Sequence, residues 1–231
     1  MKIIFLSITV IFLLSCTSKP VTSEKNSIEK DKVQSSENKE SFRSKKEREK
    51  LPFDKIEETY ISLKVKPFYF IHEVLEQAMN ESKWDKAEFY AKEYLALAPF
   101  HKNDWNYGNA IFDSNVALSQ IALSRGDKKN ALKYLIAASN TPGSPQLDSF
   151  GPFNNENVRK LLQEFARLSE KKTLIEFANN CKKFVEKKSD RILNEEQQKN
   201  HELSTSWNLN DINYFKDQIK DNKIPDFKSK N

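Results

Sequence analysis

The sequence predicts an all-α fold: an array of about three helical hairpins closed by a C-terminal capping helix. Three observations carry this reading. Only 4 of the 231 residues are Gly, and the chain is rich in Lys, Glu, Leu and Ala, which favour helix over sheet. Apolar residues recur at helical spacing over long stretches, with no sustained period-2 alternation and no Asn-Gly or Asp-Gly hairpin turn. Short polar or glycine-containing breaks pair these stretches off.

The chain opens with Met1-Lys2, a short positive region, followed by a 12-residue apolar run from Ile3 to Leu14. A membrane-spanning helix needs about 20 residues, so the run fits an export signal instead. It ends in Leu13-Leu14-Ser15-Cys16, which resembles the lipobox of bacterial lipoproteins. The resemblance implies a signal peptide over 1–15, cleavage before Cys16, a diacylglycerol on its sulfur and a further acyl chain on its new amine. Two or three chains make a stable attachment where one holds weakly. Thr17 does not resemble the inner-membrane retention signal of enteric bacteria, so in a Gram-negative host the implied address is the outer membrane.

Residues 16–52 read as the lipidated cysteine and a flexible tether. Between Pro20 and Lys50 only Val21, Ile28, Val33 and Phe42 are clearly apolar, too few to offset the entropy of ordering the segment. The basic stretch Arg43–Lys50 reads as solvated linker or frayed helix, with anionic headgroups as the alternative contact.

The helical domain spans 53–231. A first helix runs from about Pro67 through Ile71, Val74, Leu75 and Ala78 to a break at Glu81-Ser82-Lys83, and a second from Trp84 to Pro99. A third follows Asn103-Asp104 and carries Ile111, Val116, Leu118 and Ile121 to the break Arg125-Gly126-Asp127. The fourth covers Lys129 to Ser139 and stops at Thr141-Pro142-Gly143. The third pair is Asn157 to Leu168, a break at Ser169-Glu170-Lys171, then Thr173 to about Val185. Little apolar pattern marks Ser189 to Ser204. Ile212, Phe215 and Ile219, with Asn210-Asp211 as cap, read as a helix covering the last repeat.

Trp84-Asp85-Lys86-Ala87 with Pro99, and Gly126-Asp127-Lys128-Lys129-Asn130-Ala131 with Pro142, resemble tetratricopeptide repeats. Gly126 matches that family's inter-helix glycine, with Ser82 and Ser169 in its place in the other pairs. Ala87, Ala131 and Leu174 recur at intervals of 44 and 43 residues, against about 34 in the family. The connections Phe100–Tyr107 and Ser144–Asn155 take up the excess. The second connection, Gly143 to Pro152, also resembles a segment of small bacterial repeat proteins of unassigned function. By the tetratricopeptide resemblance, the first helix of each pair lines a concave groove. Tyr69, His72, Glu76 and Asn80 would face it from the first pair, Asp113 and Gln120 from the second, and Glu156, Arg159, Gln163 and Arg167 from the third.

Catalytic signatures are absent from the sequence: no G-x-S-x-G, P-loop, G-x-G-x-x-G or H-E-x-x-H occurs. The three histidines are His72, His101 and His201. His72 and Glu76, four apart, could place two metal ligands on one helix face, with no third nearby in sequence. Cys181 falls on an apolar helix face and reads as a buried hydrophobe. Trp84, Trp105 and Trp207 sit on separate elements and read as core residues. The net charge of +5 is concentrated in the tether, so the domain offers no broad field for nucleic acid. The reading is therefore a membrane-anchored, non-enzymatic scaffold with no cofactor and a protein or peptide partner. An envelope enzyme or polysaccharide-binding protein without a recognisable motif is the alternative.

Overall fold

The computed structural model describes residues 45–48, 50–187 and 194–227, and Cys16 with the signal and most of the tether lies outside them. The described residues are all-α. In chain order they form α1 (Lys45–Arg48), α2 (Phe53–Ser62), α3 (Phe70–Asn80), α4 (Trp84–Leu97), a 3-10 turn (Ala98–His101) and α5 (Tyr107–Ser124). There follow α6 (Lys128–Ser139), α7 (Pro145–Phe150), α8 (Glu156–Arg167), α9 (Lys171–Val185) and α10 (Glu195–Lys220). The three expected hairpins are α3/α4, α5/α6 and α8/α9.

All three hairpins turn in the same way. Ser82, Gly126 and Ser169 have φ of 55°, 78° and 60°. At each, the next N–H reaches back to a carbonyl in the helix just ended: Lys83 to Ala78 at 2.9 Å, Asp127 to Ala122 at 2.9 Å and Glu170 to Phe165 at 3.0 Å. This is the Schellman stop, which satisfies the carbonyls a helix end leaves free. The left-handed residue costs a serine about 1 kcal/mol that a glycine avoids.

Two apolar cores share α5. Phe53, Ile56 and Tyr60 of α2 join α3, α4 and the Ala110, Leu118 and Ile121 side of α5 in the first. Phe112 and Val116 of α5 pack with α6, α8, α9 and Ile212, Phe215 and Ile219 of α10 in the second. α5 is buried on nearly every side, so the two halves are held together through one helix.

Three expectations are corrected. The C-terminal helix begins at Glu195, not near Asp211, because Asn194 and Gln197 form a reciprocal capping box there. Its first turns are exposed, so no apolar pattern marks them, while Ile212, Phe215 and Ile219 are buried as expected. Arg48, assigned to the tether, is buried and doubly bonded to Glu73, Nε to Oε2 at 2.6 Å and Nη2 to Oε1 at 2.8 Å. Trp105 and Trp207 are exposed, at 56% and 58%, rather than in the core. Cys181 is fully buried, and burial pushes its thiol well above the usual range. Among the described residues no helix is long and apolar enough to cross a membrane.

Candidate functional site

The first helices of the hairpins lie side by side, and their unburied faces line a groove. Helix phase decides which residues reach it. In α3 the core takes Ile71, Val74, Leu75 and Ala78, which leaves His72, Glu76 and Asn80, one turn apart, on the open side. In α5, Asp113 and Gln120 bracket the apolar Val116 and Ala117. From α8 come Glu156, Asn157 and Lys160.

The fourth wall is the inter-pair insert. Ser144 caps α7 by accepting from the Leu147 N–H at 3.0 Å, and Gln146, Phe150 and Pro152 edge a cavity of about 440 Å³. A buried polar chain holds the insert against α5. Thr141 Oγ1 donates to the Gly108 carbonyl at 2.8 Å, and the Ser144 hydroxyl donates to Asn109. The Asn109 amide donates to Gln146 at 2.7 Å and to Asn106 at 2.6 Å, and Asn106 donates to the Tyr94 hydroxyl. On its other side, Asn208 of α10 donates to the Asp148 carbonyl at 2.8 Å. The insert walls the groove rather than filling it.

At the centre His72 stands between two carboxylates. Its Nδ1 lies 3.4 Å from Asp113 Oδ2 and its Nε2 lies 3.8 Å from Glu76 Oε2. Neither contact is an aligned hydrogen bond, and the buried His72 Nδ1 has no hydrogen-bond partner. Gln120 Oε1 is likewise buried without one. Asp113 is pushed up to about 6: burial raises it, His72 pulls it down and Glu76 raises it again. Since the two carboxylates face opposite ring nitrogens, the three groups do not converge on one point. Among the described residues no set of three His, Cys, Asp or Glu side chains could hold a metal ion.

Of the groove residues expected from sequence, the structure brings together His72, Glu76, Asn80, Asp113, Gln120 and Glu156. Tyr69 sits before the first turn of α3, at the loop end, and is 36% exposed. Arg159, Gln163 and Arg167 do not line the groove, which takes Glu156, Asn157 and Lys160 from the start of α8. Gln163 donates to the Pro225 carbonyl of the C-terminal tail at 2.9 Å, and Arg167 pairs with Glu164 at 2.9 Å. Sequence reasoning missed Asn109, Asn157, Lys160 and the insert wall. The i, i+4 spacing of Asn109 and Asp113 was a signal for the first.

Comparison with known proteins returns no matching family model, no matching curated protein and no matching solved structure.

Proposed function

We propose that the chain is exported, acylated at Cys16 and held at a bacterial membrane. In a Gram-negative host that membrane is the outer one. There it serves as a tetratricopeptide-like scaffold that binds an extended protein segment in the groove. The observation that carries the binding reading is the pair of buried, unpartnered atoms, His72 Nδ1 and Gln120 Oε1, beside the Asp113 carboxylate in an open cavity. Buried polar atoms are normally paired, and a ligand would complete these. Gln120 Oε1, Asp113 and Glu76 are acceptors, while the amides of Asn80, Asn109 and Asn157 both donate and accept. That chemistry suits a peptide backbone bearing a cationic side chain.

Photo-crosslinking in the native host tests this reading. A crosslinker at Asn80 or Asn157 should capture a discrete protein partner, and Glu76→Gln with Asp113→Asn should abolish the capture. Equal capture from Lys92, on an exposed face of α4, would refute it. Anchoring is tested separately by metabolic labelling with a fatty-acid analogue, which should mark wild type and not Cys16→Ala.

A second reading, an enzyme acting on envelope polymers, draws on Asp113. A carboxyl raised to about 6 next to Glu76 and His72 has the character of a general acid. Release of soluble fragments from purified cell-wall polymer, lost in Asp113→Asn, would favour it over the scaffold.

A further inference from the structure

The two ends of the array differ in character. The hairpin end carries the turns at Ser82, Gly126 and Ser169, where Leu168 and, just past α10, Ile224 are exposed at 41% and 48%. The opposite end carries the connections into and between pairs, and there two neighbouring loops present apolar tips. Val65 is 83% exposed, Phe100 82% and Trp105 56%. The loops are clasped together below these tips: Phe68 stacks flat on His101 with centroids 4.2 Å apart, and packs against Tyr94 at 4.9 Å. The tips are therefore presented from a braced base.

Lysines interleave with the tips. Lys64 and Lys66 flank Val65, and Lys102 follows Phe100 by two residues, all three exposed. Lys66 lies over the Tyr60 ring, 4.7 Å from its centroid. Asp104 is the one acidic residue in the two loops, and it is turned inward to accept the Asn106 N–H at 2.8 Å. Apolar tips interleaved with lysines match the depth profile of a bilayer with anionic headgroups. Aromatics sit at the interface and long lysines reach up to the phosphates.

The short helix α1 packs at this same end. Arg48 lies 5.1 Å from the Phe70 ring and pairs with Glu73, both in the first turn of α3. Five residues later, the Phe53 N–H donates to Glu81 Oε1 at 2.6 Å, at the hairpin end.

We propose that the Val65 and Phe100–Trp105 loops form a membrane-docking face that lays the domain on an anionic bilayer. This rests on the anchoring reading only for what brings a bilayer near. The test reads the depth of Trp105, not whether the chain is attached. The full chain is incorporated into phosphatidylethanolamine–phosphatidylglycerol vesicles with brominated acyl chains, and Trp105's share of the fluorescence is taken by difference from Trp105→Phe. That share should be strongly quenched. Most of the quenching should be lost in Val65→Ser with Phe100→Ser, and in Lys64→Glu with Lys66→Glu and Lys102→Glu. It should also weaken in phosphatidylcholine vesicles. Because every substituted side chain is exposed, the circular-dichroism melting curve should not move, which separates loss of docking from loss of fold. An unquenched Trp105 in wild type, or quenching unchanged in both variants, overturns the proposal. So does a dimer of the detergent-solubilised chain that Phe100→Ser dissociates, which would assign the face to a second copy.

Discussion

Replacing Gly108 with Ala sets two effects of opposite sign against each other. Gly108 lies in the first turn of α5, and in an open helix Ala would add about 0.5–1 kcal/mol. Here the added methyl would stand 1.8 Å from the Gly143 carbonyl oxygen, 2.5 Å from its carbon and 3.1 Å from the Ser144 nitrogen. Carbon and oxygen tolerate about 3.3 Å, so the insert backbone must recede by about 1.5 Å. That retreat strains the buried Thr141–Gly108 and Ser144–Asn109 hydrogen bonds. Overpacking costs about 1–3 kcal/mol, and a buried polar group left unpaired about 1–3 kcal/mol more. With the helix preference subtracted and incomplete additivity allowed for, the net loss is about 2–4 kcal/mol. Urea denaturation followed by circular dichroism measures it. Gly126→Ala is the control: its φ of +78° strains any side chain, but nothing lies within 4 Å of the new methyl. It should lose about 1 kcal/mol from backbone strain alone. A Gly108→Ala protein as stable as wild type would refute the contact on which the insert's placement rests.

Ser82→Gly and Ser169→Gly should each stabilise by about 0.5–1 kcal/mol, the strain relieved less the extra freedom of glycine in the unfolded chain. The two sit in different hairpins, so their effects should add, as a rise in urea midpoint will show. Asp113 is raised from 3.8 to about 6, so the folded protein holds a proton between those values that the unfolded chain has released. Its contribution therefore weakens stability as pH rises through 6 and costs nothing below about 4. Asp113→Asn should be the more stable protein at pH 7.5, by about 1–3 kcal/mol, with the gap closing by pH 4 in parallel thermal scans. Arg48→Ala leaves Glu73 buried and unpaired and should cost about 3 kcal/mol. Arg48→Met with Glu73→Leu should recover most of that in the same assay.

Helix existence and pairing were legible because burial writes a 3.6-residue period into α3, α4, α5, α6, α8 and α9. Gly126 announced its turn. Ser82 and Ser169 did so only by their place in the repeat, since serine is uncommon at positive φ. α2 carries its signal in three residues, Phe53, Ile56 and Tyr60, and was not separated from the rest of the domain. α7 is six residues long, too short for periodicity, although Ser144 and Pro145 are its cap and first residue. The polar start of α10 gave no period at all. The groove was legible on α3 and α5, where phase follows from strong apolar patterning. On α8 it failed because the position of the C-terminal tail, which takes Gln163, is a long-range fact. Nor could composition show that Trp105 and Trp207 face water, since an aromatic ring suits a core and a docking surface equally.

The long connection between the second and third pairs explains how a 43-residue interval can coexist with regular hairpins. It is not slack chain. Leu147 and Phe153 point into the second core, at 7% and 5% exposure, and Phe153 meets Phe177, Phe215 and Phe227 with centroids 6.3, 5.1 and 5.8 Å apart. Gln146, Phe150 and Asn154, from the same connection, face the groove. One segment thus fills a core on one side and builds a binding wall on the other, and the two roles divide by residue. Phe153→Ala should cost about 3–5 kcal/mol of stability. Phe150, 64% exposed, should be replaceable by Ala within about 0.5 kcal/mol, and Gln146→Ala, which takes one acceptor from the buried Asn109 amide, should cost about 1 kcal/mol, while crosslinking from Asn157 in the groove falls. If Phe150→Ala with Gln146→Ala destabilises the fold as much as Phe153→Ala, the insert is a packing element alone and the groove has no fourth wall.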